Sequence, residues 1–301
     1  MKNLIKSWSL FLSMMLLSLT SYSQSNDATG LPGDHFDLRG ALDLFKKASS
    51  PEEFEKLLNT ESNHVNNLDL NEDGDIDYVK VIDNADGDGH AFVLQVAVSE
   101  TENQDIAVIE LEKNGKESAI TQIIGDEDIY GESIIVEPNG DEDKKSNKKG
   151  PYLDEGYDDI VVVNVWSWPS VSFIYGPVYR PWVSPFRWAF YPTWWRPWRP
   201  LTWSVFHPFR VRHHSGFVIA PMHRTVRVHN VYAPRRVSSV TVTKRHSTSV
   251  NNYRVTRKTT TVHARGAHGG HVDAKRTTTK VTGPKGNSAK VTKTKVKRGR
   301  N

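Results

Sequence analysis

The chain has 301 residues, no cysteine and a formal net charge of +4 at pH 7. Without cysteine there are no disulfides, no lipid-modified cysteine and no cysteine-based zinc sites. The near-neutral total hides two opposed blocks: Gln24–Asp159 carries 11 Lys and Arg against 34 Asp and Glu, and Ile160–Asn301 carries 26 against the single Asp273. Each block can attract a partner of its own, or the other block.

Residues 1–23 read as a secretory signal peptide. Lys2 and Lys6 form its charged start, Leu10–Leu17 its apolar core, and Ser21 and Ser23 the small residues before a cleavage point at Gln24. The apolar run is shorter than the ~18 residues of a membrane span. The expectation is export to the periplasm, the outer surface or the medium, with no transmembrane helix left after cleavage. Residues 24–33 read as a flexible linker.

An α+β domain is predicted over 34–138. Leu38, Leu42, Leu44 and Phe45 share one helical face. Ser50-Pro51-Glu52-Glu53 starts a second helix, with Ser50 as N-cap, Pro51 in the first turn and Glu53 closing a capping box. After Asp77 the period changes to two. Strands are predicted at Asp77–Asp83, Ala91–Val98, Ile106–Leu111, Ala119–Ile124 and Ser133–Val136, with a hairpin turn in Asp83–Gly89 and another at Lys113–Lys116. Short links imply an antiparallel β-meander with the short N-terminal helices packed on it.

Between helices and strands lies Asp69-Leu70-Asn71-Glu72-Asp73-Gly74-Asp75-Ile76-Asp77. Its oxygen-bearing residues alternate around one glycine, as a hard cation that takes six to eight oxygens requires. Asp69, Asn71 and Asp73 are the candidate side-chain ligands, Asp75 offers its carbonyl, and Asp77 ligates directly or through water. Gly74 makes the sharp turn, and Ile76 packs beneath. The stretch resembles EF-hand and dockerin loops, and more closely the D-x-N-x-D-G-x-x-D loops of integrin-like and VCBS propeller repeats. That resemblance implies Ca²⁺. It covers nine residues only. The EF-hand Glu at the twelfth position is replaced by Lys80, and a strand follows instead of a helix. A metal-free surface turn is the alternative.

Residues 139–159 read as a charged linker, and Ile160–Trp166 as a further strand. The segment 160–220 holds eight of the nine tryptophans and eight prolines between Trp166 and Pro208. So many prolines exclude a long helix or a central strand. Tryptophan with arginine suits a lipid-headgroup interface, stacking on sugars or bases, or a compact extension stapled to the first domain. Residues 221–301 are low in complexity and read as a disordered basic tail. In it, His263, His268 and His271 could bind zinc or copper weakly.

The order of leader, helices, loop, meander, Trp/Pro segment and tail resembles a group of secreted Gram-negative bacterial proteins. The resembling residues are Asp69–Asp77, Ile123–Gly131 and Trp188–Pro200, and the resemblance brings no activity with it. No nucleophile elbow, P-loop or His-Glu-x-x-His is present. The expected function is that of a non-catalytic calcium-binding protein of the cell envelope, its cationic Trp-rich half binding an anionic envelope polymer, lipid headgroups or another envelope component. Nucleic acid is not the expected partner. The alternative is an envelope enzyme or enzyme inhibitor using the sheet domain.

Overall fold

The computed structural model describes residues 28–140, 162–213, 215–220, 222–265, 271–282 and 288–299. The expected signal peptide, linker residues 24–27 and 141–159, the start of the expected strand at 160–161, and His268 lie outside the described residues.

Two amphipathic helices open the fold. In α1 (Leu38–Lys47) Asp37 caps the N-terminus by accepting from the Arg39 N–H, and Leu38, Ala41, Leu42, Leu44 and Phe45 are buried. In α2 (Pro51–Leu58) the Ser50 hydroxyl accepts from the Glu53 N–H at 3.1 Å. The Glu53 carboxylate reaches back to the Ser49 N–H at 2.7 Å, one residue earlier than a capping box predicts.

A meander of β1 (Val79–Asp86), β2 (Gly89–Ala97), β3 (Asn103–Gly115), β4 (Ser118–Gly125) and β5 (Ile134–Pro138) follows, antiparallel throughout. The predicted turn before Gly89 is a hairpin in which Asp86 faces Gly89, and Gly87 takes φ +55°. The register shifts between Leu94 and Gln95. Phe92, Leu94, Val96, Ile109, Leu111 and Ile123 face α1 and α2 and form the main core with Phe45, Phe54 and Leu58. Removing each such side chain from water contributes roughly 1.5–3 kcal/mol. This is the α+β architecture expected, with helices before the sheet.

Among the described residues, 162–252 pack against the first domain. A short helix, α3 (Glu127–Tyr130), precedes β5, and α4 (Pro169–Ile174) and α5 (Trp203–Val211) lie in the Trp/Pro segment. Residues 162–166 are not a strand. They run irregularly beside β4, with the Val165 N–H donating to the Ala119 carbonyl at 2.9 Å. The segment then adds to both edges of the sheet. On the β1 side, the Asp83 N–H donates to Trp182 O at 2.7 Å and the Ser184 N–H to Val81 O at 3.0 Å. On the β5 side, β6 (Phe217–Ile219) adds a sixth strand. Unpaired strand edges template association, so the first addition covers part of the β1 edge and the second leaves only the three-residue β6 as an edge.

The chain from 222, expected as a basic low-complexity tail, begins with two helices. Helix α6 (Val226–Tyr232) covers the second face of the sheet. Val228 and Tyr232, one helical turn apart, are buried there with Ala91, Val93, Val108 and Ile124. Helix α7 (Val240–Asn252) starts at Ser239, whose hydroxyl accepts from the Val242 N–H, and Val242 is buried in the main core. Three buried apolar residues in an otherwise polar stretch suffice because the sheet offers charged partners, described below. Further on, β7 (Arg254–Arg265), β8 (His271–Thr282) and β9 (Ser288–Gly299) pair as a second antiparallel sheet. The sequence reading predicts no regular structure there, although the Thr and Val content suits strands. No helix among the described residues is long and apolar enough to cross a membrane.

Candidate functional site

The Asp69–Asp77 loop joins the α2 layer to β1. Gly74 takes φ +88° and is open on its Cα side, as a sharp turn requires. Ile76 is buried beneath, as expected. The Asp69 carboxylate accepts from the N–H groups of Asp73 (3.1 Å) and Gly74 (3.0 Å), and Asn71 Oδ1 also accepts from Asp73 N at 3.0 Å. Asp73 Oδ1 accepts from the Asp75 N–H at 2.9 Å, and Asn71 Nδ2 donates to Asp73 Oδ2 at 2.8 Å. Asp75 is exposed. The Asp77 carboxylate is buried and accepts from the Leu70 N–H at 2.6 Å. Burial pushes its pKa up to about 7, with Asp69 and Asp73 adding repulsion. Lys80, in the twelfth position, sits in β1 with its ammonium on Asn103 Oδ1 at 2.8 Å, and supplies no oxygen.

The five residues are thus gathered at one turn, Asp69, Asn71 and Asp73 around Gly74 and Asp77 buried at its foot. The loop carboxylates are spaced by backbone N–H groups and are not drawn to within 4.8 Å of one another as a set of three. Later segments hold the loop from outside. The Ile76 N–H donates to Trp198 O at 2.8 Å. Arg245 donates to the Leu70 carbonyl and meets Glu72 at 3.3 Å.

The Trp/Pro segment is docked rather than free. Trp168 and Trp195 are buried, and Trp195 meets Tyr78 edge to face at 5.2 Å and Tyr191 at 4.7 Å. Glu55, 1% exposed, accepts from Trp182 Nε1, Ser184 Oγ, Tyr78 OH and the Val81 N–H. Burial raises its pKa despite these four donors. Trp194 remains exposed beside Lys56. Of the three environments open to this segment in the sequence, the compact extension is the one its buried tryptophans occupy.

The basic chain from Met222 onward meets the acidic block on the second sheet face. Arg224 pairs with Glu137 at 3.0 Å, and Arg236 with Asp126 at 2.5 Å and Asp128 at 2.6 Å. Tyr232 OH and the Val237 N–H donate to Asp105, and Ser239 bonds Glu102 and Gln104. The targets are therefore carboxylates of the sheet, of its turns and of the short helix α3.

At the centre of this face lies Glu110 on β3, fully buried. It accepts from His223 Nε2 at 2.6 Å, His229 Nδ1 at 2.7 Å and Thr225 Oγ1 at 2.6 Å. Burial pushes the Glu110 pKa up, and the bonds from His223, His229 and Thr225 together bring it below the ordinary value. The bond to Glu110 raises His229 against burial. The ligand atoms of Glu110, His223 and His229 lie within 4.8 Å of one another, so this group could hold a metal ion. The sequence gives no spacing signal for it, because Glu110 stands 113 residues from His223.

No protein-family model, curated protein or solved structure matches the chain.

Proposed function

We propose that the chain is an exported, non-catalytic calcium-binding protein of the cell envelope, in which the Asp69–Asp77 loop fixes the wrap of the Trp/Pro segment on the sheet. The observation that carries this reading is the geometry of the loop: Asp69, Asn71 and Asp73 gather around the Gly74 turn, with Asp77 buried at its foot. Burial together with Asp69 and Asp73 pushes the Asp77 pKa up to about 7. Without a cation, this buried carboxylate has lost most of its water and faces the lesser repulsion of Asp69 and Asp73 uncompensated. A hard divalent ion turns that repulsion into attraction while taking oxygens only. Asp69, Asn71, Asp73 and Asp77 then supply side-chain oxygens and Asp75 its carbonyl. A weak site suffices outside the cell, where modules bind calcium at about 10⁻⁴–10⁻³ M.

The envelope setting rests on the leader-like residues 1–23, on the resemblance to secreted Gram-negative proteins, and on the Lys and Arg that run from Arg254 to Arg300 against the single Asp273. That end of the chain is the part offered to an anionic polymer or lipid headgroups. Thermal melting of the full chain, with calcium and with chelator, tests the core of the reading. The midpoint rises with calcium, and Asp73→Ala removes the rise; equal midpoints for the wild type overturn it.

A further inference from the structure

We propose that Glu110, His223 and His229 form a site for a borderline divalent transition metal, zinc by class, separate in place and chemistry from the Asp69–Asp77 loop. The three ligands come from three places: β3, the link after β6, and α6. They converge because the basic chain folds back over the sheet.

The donor set decides the ion. Two imidazoles and one carboxylate suit Zn²⁺ and its first-row neighbours; calcium and magnesium want oxygens alone. The position of the carboxylate argues in the same direction. A buried Glu needs a partner, and this face has arginines to spare. Yet Arg224 goes to Glu137 and Arg227 to Glu112, each at 3.0 Å, and Glu110 meets the two imidazoles and a hydroxyl. The imidazole centroids stand 4.7 Å apart at 78°, edge to face over one carboxylate.

In the metal-free arrangement N–H protons occupy the space between ligands. Binding exchanges them for the ion: an imidazolium releases to solvent the proton it holds toward Glu110, a neutral imidazole instead carries its one proton on the ring nitrogen facing away, and in either case the freed lone pair turns to the metal. Ligands about 2.0–2.1 Å from a tetrahedral ion stand about 3.3 Å apart, so the imidazoles retreat from Glu110 by roughly half an ångström. They have room to do so. The His223 and His229 side chains are 23% and 33% exposed, whereas Glu110 is fixed at 0%. Thr225, itself buried, holds Glu110 Oε2 and orients the carboxylate. A tetrahedral ion held by three protein ligands would take water as its fourth. An ion here ties α6 to β3.

The test titrates the full, chelator-stripped chain with Zn²⁺ against a chromophoric competitor, and with Co²⁺ read by visible absorption. Other histidines bind metal weakly, so the comparison is with the His223→Ala/His229→Ala double variant, its fold checked by circular dichroism. The wild type holds one more tight equivalent than the double variant and shows Co²⁺ bands that the variant lacks. Asp73→Ala keeps both properties. His223→Gln preserves a hydrogen-bonding side chain and serves if the alanine pair loses the fold; its zinc affinity falls about a hundredfold or more, since even outer-shell changes cost 10–100-fold. Unchanged zinc affinity in His223→Gln, or equal tight binding in wild type and double variant, overturns the proposal.

Discussion

The backbone N–H of Ile76 donates to the carbonyl of Trp198 at 2.8 Å. One residue inside the loop thereby fixes one residue of the Trp/Pro segment. Asn67 repeats the link, exchanging two hydrogen bonds with the Leu201 backbone at 2.7 and 2.9 Å. An ion that orders the loop must therefore also order this segment, whose tryptophans report on it. Tryptophan emission should shift on adding calcium, and acrylamide quenching should fall. Asp73→Ala should abolish both changes. Emission and quenching indifferent to calcium in the wild type would break the proposed coupling.

Glu55 anchors the same segment at the β1 edge. Glu55→Ala leaves two buried donors, Tyr78 OH and the Val81 N–H, and two half-buried ones without their acceptor and should cost about 3 kcal/mol in urea denaturation. Glu55→Gln should cost about 1 kcal/mol, because the Tyr78 and Ser184 hydroxyls can turn to accept from the amide. The wild type adds a pH signature that Gln lacks. Burial raises the folded-state pKa of Glu55 above its ordinary 4.5. Its contribution is then fully present below the unfolded value and is lost as pH rises through the folded one. Wild type should gain stability relative to Glu55→Gln as pH falls from neutrality toward about 4.5. A difference that stays flat, or grows the other way, contradicts the burial argument.

The charge pairs on the second face differ in burial, and their variants should differ accordingly. Arg236 bonds the buried Asp126 and is itself 29% exposed, while Arg227 is 59% exposed over a partly exposed Glu112. Arg236→Ala leaves a buried carboxylate unpaired and should cost about 2 kcal/mol, after discounting for partial exposure. Arg227→Ala should stay within about 0.5 kcal/mol. Equal losses in chemical denaturation would mean that burial does not rank these pairs.

The first sheet face was legible in the sequence because its signals are local. Ser50-Pro51, the turn before Gly89 and the alternation in Phe92, Leu94 and Val96 each act within a few residues. The second face was not. Val108, Glu110 and Glu112 alternate like a solvated strand, and Gln122 with Ile124 does the same. Their cover lies some hundred residues on, in a stretch whose apolar content is Val228, Tyr232 and Val242 among polar neighbours. Low complexity concealed the one-turn spacing of Val228 and Tyr232. Non-local ion pairing, which carries no period, supplied the rest. The loop is legible because its oxygen-bearing residues fall within nine positions of the chain, and the Glu110 cluster is not because Glu110 stands 113 residues from His223.

The fold-back also divides the cationic half into two parts that truncation should separate. A chain ending at Tyr253 keeps α6, α7 and the contact of Tyr253 with Gly131. It should melt close to the full chain. A chain ending at Met222 strips Val228 and Tyr232 from Val93, Val108 and Ile124, and leaves Glu110, Glu137 and Asp126 buried without their partners. It should lose several kcal/mol or fail to fold. Binding to anionic vesicles should follow the other division. The Lys and Arg beyond Tyr253 release counterions on contact with a polyanion, so affinity should fall steeply with salt. The Tyr253 chain should lose that salt-dependent part while remaining folded. If it sediments with anionic vesicles as strongly as the full chain at low salt, the end of the chain is not the envelope contact, and the exposed side of the folded unit must be.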